Sequence, residues 1–88
     1  WHSDAERSER FVSRLAVVMR NEPGALATVA SILGQSDANI ANLKLTLRDR
    51  QFLTFELDVE VTDLRHLTRV QAALRATQVV SSVERIRL

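Results

Sequence analysis

Two segments of the chain show strict alternation of apolar and polar positions. Leu43, Leu45 and Leu47 are spaced by Asn42, Lys44, Thr46 and Arg48; Leu53, Phe55, Leu57, Val59 and Val61 are spaced by Thr54, Glu56, Asp58 and Glu60. A period of two is that of a strand with one buried face, so both are expected as strands whose apolar rows face the core. Joined as a hairpin, the two rows must lie on one side of the sheet. A two-residue turn at Asp49-Arg50 pairs odd with even positions and sends one row into solvent. The odd-length loop Asp49-Arg50-Gln51 keeps them together, and sets Thr46 opposite Thr54 and Lys44 opposite Glu56, both favourable cross-strand pairs.

Upstream, Phe11 to Arg20 is rich in β-formers and carries Leu15, Val17 and Met19 on one face. Pro23 suits the first turn of a helix, where its missing N–H is not needed. Behind it Leu26, Val29, Ile32 and Leu33 recur at helical spacing, and the turn chemistry of Gly34 to Asn39 ends that helix. Asn39 reads as a turn residue and Ile40 as the first core residue of the next strand. A second helix starts near Thr62 or Asp63, with Leu64, Leu67, Val70 and Leu74 as its apolar stripe and Arg65 and Arg69 on another face. A last strand lies within Val79 to Leu88. The order β-α-β-β-α-β, with a helical crossover in each half, is the split-βαβ arrangement. The predicted fold is therefore α+β, a ferredoxin-like βαββαβ sandwich. Right-handed crossovers place both helices on one face of a four-stranded antiparallel sheet.

Eighty-eight residues suffice for one small core. Residues 1–10 form a polar lead-in and residues 11–88 the domain. The chain opens on Trp1 rather than Met and is expected to be part of a longer protein. It contains no cysteine, which excludes disulfide frameworks and thiolate metal sites and fits a reducing compartment, so a cytoplasmic location is expected. A net charge of +1 gives no strong field for nucleic acid or membrane. No apolar run approaches the ~20 residues of a bilayer span.

No catalytic constellation emerges. His2 lies in the polar lead-in and His66 on the second helix, with no evident partner for either. Ser13, Ser31, Ser36, Ser81 and Ser82 have no neighbouring base in a recognisable motif. Glu56, Asp58 and Glu60 alternate along one strand face, as a solvated sheet surface does. No metal-ligand spacing exists, and neither a metal nor a cofactor is expected. An RNA-recognition module of this topology would show aromatics on its central strands, yet Phe55 belongs to the buried row. Arg65, Arg69, Arg75, Arg85 and Arg87 offer at most a basic patch.

The stretch from Asn21 to Leu26, NEPGAL, says more. It is a tight loop turning a strand into a helix, with Gly24 permitting close backbone approach. The first amides of a helix have no internal acceptor and sit at the positive end of its dipole, which suits a carboxylate. Asn21 adds a side chain that can meet either a carboxylate or an ammonium group. On residues alone a plain strand-to-helix turn with Asn21 as a local cap is the favoured reading.

The succession strand, NEPGAL, helix, ANIANL and hairpin resembles the ACT domain, a small regulatory module that senses amino acids. The resemblance implies that Asn21 and Gly24, with Glu22 in the same turn and the amides of Ala25 and Leu26, hold the polar end of an amino acid. Asn39 and Ile40 would come from a second copy, so a homodimer is implied. Met19, Leu26, Ile40 and Leu43 would line the site without a polar side chain, which fits a branched-chain amino acid, valine or isoleucine. Val61 to Leu67 (VTDLRHL), the ALR of Ala73 to Arg75 and the closing VSSVERIR are similar to the C-terminal ACT domain of long RelA/SpoT-type enzymes that make and hydrolyse (p)ppGpp. That likeness implies a non-catalytic, allosteric domain of such an enzyme, with the enzyme's other domains and the ribosome as further partners. A reading of another class is a ligand-free interaction module docking on ribosomal RNA or on its own enzyme through the arginines of the second helix and last strand.

Overall fold

The computed structural model describes residues 10–86. The strands are β1 (Phe11–Arg20), β2 (Asn39–Arg48), β3 (Phe52–Val61) and β4 (Val80–Ile86), and the helices α1 (Ala25–Gln35) and α2 (Leu64–Arg75). They follow the predicted βαββαβ order. The sheet runs β2-β3-β1-β4, with all three neighbouring pairs antiparallel. His2, Trp1 and Arg87 lie outside the described residues.

The core takes Leu15, Val17 and Met19 from β1, Phe55, Leu57, Val59 and Val61 from β3, and Val80 and Val83 from β4. Against these lie Ala25, Val29 and Leu33 of α1 and Leu67, Val70 and Leu74 of α2. The alternation along β1 and β3 thus does what its period requires, with odd positions inside and even positions on the opposite face.

The β2 row departs from expectation. Leu43, Leu45 and Leu47 are 40%, 44% and 63% exposed, rather than buried. Among the described residues β2 is an edge strand with β3 as its one neighbour, and the buried core is drawn mainly from β1, β3, β4 and the helices. Lys44 stands opposite Glu56 as expected, but next to the loop Arg48 pairs with Leu53, and the Asp49 amide donates to Phe52 O at 2.9 Å, so the chain turns around Arg50-Gln51 rather than through the expected odd loop. Thr46 does not pair with Thr54; the register shifts there, Leu47 faces Thr54, and Thr46 Oγ1 donates to the Thr54 carbonyl at 3.2 Å. A second shift falls between Ile40 and Asn42. Bulges of this kind bend a strand and are common on sheet edges.

The first helix begins later than the pattern suggests, whereas the second begins at the expected Asp63 cap. Pro23 lies in the turn before α1, whose N-cap is Gly24 at φ 83°. Leu26 and Ile32 are only partly buried, and Ala25 takes an inner position instead. α1 closes in a Schellman motif: the Ala38 amide donates to Leu33 O at 2.9 Å and the Asp37 amide to Gly34 O at 3.1 Å. Asp37 supplies the left-handed residue at φ 62°. In α2, Asp63 is the N-cap and accepts from the His66 amide at 2.8 Å. Leu64, expected in the apolar stripe, is 59% exposed; His66 is buried in its place.

Candidate functional site

The strand-to-helix turn after β1 is held against the tip of the β2–β3 hairpin. The Asn21 amide donates to Gln51 O at 2.9 Å, and its Nδ2 donates to Asp49 O at 2.8 Å. Asn21 is therefore the residue that fastens the turn. Gly24 then opens α1 without a side-chain cap, and the first turn of the helix contains no acidic residue. The Ala25 amide donates to Glu22 O at 3.2 Å, and Thr28 closes the first turn onto Gly24 O. Glu22, Pro23 and Gly24 are exposed, Leu26 is half-buried, and Met19 and Ala25 are core residues beneath them.

Asn39 and Ile40 lie at the other end of the sheet. β1 and β2 both run antiparallel to β3 and so point the same way. The turn follows the end of β1, whereas Asn39 begins β2. A strand of 10 residues separates the two ends, about 30 Å at the usual rise. One copy of the chain does not bring Asn21 and Asn39 together. Asn39 is exposed, and its Nδ2 donates to Glu60 Oε1 at 3.3 Å; Ile40 packs against the core margin. Leu43 stands further along the same edge strand. A groove of about 620 Å³, lined by Arg10, Asp37, Asn39 and Glu60 among others, opens at this end.

The sheet face away from the helices carries the acidic row of β3. Asp58 receives Arg14 Nε at 2.7 Å and Nη2 at 3.2 Å, a two-pronged ion pair across β1 and β3. The hydrogen bond from Arg14 and its charge hold the Asp58 carboxyl below the ordinary aspartate range, with a smaller contribution from Asn42. Glu60 is engaged by Asn39. Asp58 and Glu60 are thus held by side-chain partners on a sheet surface.

Sequence reasoning missed His66. It is 2% exposed, and both ring nitrogens are used: Thr62 N lies 3.0 Å from Nδ1 and Ser36 O lies 2.6 Å from Nε2. Arg75 is likewise committed, Nη2 donating to Val83 O at 2.9 Å. It pins α2 to β4 and is not simply part of an outward basic patch.

The antiparallel four-stranded sheet, the two helices and the glycine turn with an uncapped helix start define an α+β ferredoxin-like module, with the Asn21–Gly24 turn and Asn39 at opposite sheet ends. Residues 7–85 match the profile of the ACT domain, and the chain belongs to that family. It is 42% identical over 86 residues to the GTP pyrophosphokinase rsh of Brucella ovis, covering 98% of this chain and 12% of that protein. It is 38% identical over 74 residues to the GTP pyrophosphokinase of Myxococcus xanthus, covering 82% of this chain and 10% of that protein. The chain thus spans about an eighth or less of the length of these relatives. The crystal structure of the ACT domain from the GTP pyrophosphokinase of Chlorobium tepidum superimposes with a TM-score of 0.74 at 26% identity, covering 88% of this chain and 99% of that one. Among the described residues, no helix is long and apolar enough to cross a membrane.

Proposed function

We propose that the chain is a regulatory, non-catalytic domain that binds a branched-chain amino acid, valine or isoleucine, between two copies of itself. It would act within a GTP pyrophosphokinase of the RelA/SpoT type, where the chain resides in the cytoplasm. The observation that carries this reading is the β2 edge, which among the described residues pairs with β3 alone, and its exposed row Leu43, Leu45 and Leu47, running from Asn39 toward the Asp49–Gln51 tip that holds Asn21. An unpaired apolar edge is a template for another strand. A two-fold axis through β2 makes that pairing antiparallel. The start of one β2 then lies beside the end of the other, which puts Asn39 of the partner subunit next to the Asn21–Gly24 turn.

In such a site the amide of Leu26 and the dipole of α1 meet the ligand carboxylate. Asn21 has one Nδ2 proton committed to Asp49, so its oxygen and second proton are what it offers the ligand. Leu26 and Leu43, with Ile40 of the partner subunit, give the apolar walls; Met19 and Ala25 form the floor. Lacking a polar side chain for the effector's own, this lining favours an aliphatic amino acid over serine. The ligand seals the interface between copies, so it shifts the population toward the paired state. Such coupling is typically worth about 1–3 kcal/mol, enough to change the activity of attached domains several-fold. The ribosomal-RNA reading draws less support, because Arg75 is already tied to Val83.

Calorimetry on the 88-residue chain with valine, isoleucine and serine tests the proposal. Valine and isoleucine are expected to bind and serine to bind weakly or not at all. No heat from any of the three at millimolar ligand would overturn it.

A further inference from the structure

His66 stands in the first turn of α2, yet its ring reaches the end of α1. The Thr62 amide can only donate, so the Nδ1 atom 3.0 Å away is the unprotonated nitrogen. The single ring proton of the neutral imidazole is therefore on Nε2, and it donates to the Ser36 carbonyl at 2.6 Å. Ser36 is the C-cap of α1, and its carbonyl belongs to those a helix end leaves without an internal donor. The segment from Ser36 to Asn39 is the junction through which α1 delivers Asn39 to the start of β2. Its amides at Asp37 and Ala38 are bonded back into α1, while the Ser36 carbonyl is bonded across to α2. The junction is thus fixed from both helices.

We infer that His66 is a positioning residue for the ligand site: its Nε2–H bond to Ser36 sets where the Ser36–Asn39 junction presents Asn39 to the partner subunit. This rests on the site assignment above, and it gives the V-x-D-x-x-H-L stretch a physical role. Asp63 caps α2 and so aims the backbone of its first turn; His66, in that turn, spans the two helices.

Two near-isosteres separate this role from simple filling of the core. In His66→Gln the side-chain Nε2 falls near the histidine Nε2 and keeps a donor for Ser36. In His66→Asn the carboxamide reaches only as far as Nδ1, so it keeps an acceptor for Thr62 and loses Ser36. Amide hydrogen exchange on the 88-residue chain without ligand is the first readout. The Asn variant is expected to exchange about five- to tenfold faster than wild type at Asp37 to Ile40, as loss of one hydrogen bond of ordinary net strength implies. The Gln variant is expected to stay near wild type there. Equal behaviour of the two variants at these amides overturns the inference. Long-range proton–nitrogen spectra of the wild type, which depend on no variant folding, are expected to show the proton on Nε2 alone; a ring protonated on Nδ1 also overturns it. Valine titration is the second readout, with affinity about tenfold weaker in the Asn variant and restored in the Gln variant. If wild type takes no valine, the site assignment fails, and the exchange data still decide what His66 holds.

Discussion

Asp37 occupies a left-handed position, φ 62°, that a side chain tolerates poorly. Aspartate manages it because its short polar side chain can bond locally; a β-branched residue cannot. Asp37→Val is expected to lower stability by about 1–2 kcal/mol and Asp37→Gly to leave it unchanged or slightly raised. Urea melts of the two variants check this, and equal destabilisation by both would contradict the Schellman assignment. Asp58 supplies the pH dependence. Its folded-state value lies below the ordinary 3.8, because Arg14 bonds and faces its charged form. The unfolded chain thus takes up this proton first as pH falls. The stability it contributes is complete above the ordinary carboxylate range and disappears as pH drops through the depressed value. Asp58→Asn is expected to flatten this part of the acid limb of a stability–pH curve; an unaltered acid limb would mean the pair contributes nothing.

At the scale of elements, the alternation in β3 and the Leu67, Val70 and Leu74 part of the α2 stripe were legible because each reports its own geometry. The hairpin register was legible only in its middle, from Asn42 to Leu45; nearer the loop the pairing is offset by one, and a shift between Leu45 and Leu47 brings the apolar rows back onto one face. β2 was misread for a definable reason: period two says that one face is apolar, not whether a helix or another copy of the chain covers it. His66 escaped because its partner Ser36 lies 30 residues away in sequence, and a polar residue bordering an apolar stripe carries no periodic signal. The turn from Asn21 to Gly24 was visible as a helix start, but its anchoring on Asp49 and Gln51 depends on which strands are neighbours. The exposed β2 row yields an expectation of its own. Because Leu45 is 44% exposed in the single chain, Leu45→Lys is expected to change monomer stability by no more than about 0.5 kcal/mol. It should abolish self-association in sedimentation equilibrium. Persistence of the dimer in this variant would move the interface off β2.

For the whole molecule, the Asn21–Gly24 turn and Asn39 stand at opposite ends of one sheet, and the proposed site joins them through a second copy in antiparallel contact. That geometry makes complementation the most direct test. On the proposed pairing, an Asn21→Ala chain and an Asn39→Ala chain would each form dimers in which every site is damaged. In a mixed dimer, one site carries both alanines while the other takes Asn21 and Asn39 from the two unaltered positions. After the two variants are mixed and allowed to exchange partners, valine titration is expected to recover wild-type affinity in a fraction of sites. Random exchange makes half the dimers mixed, so about one intact site per four chains should appear. Binding that stays as weak in the mixture as in either variant alone would contradict a pocket shared between two copies.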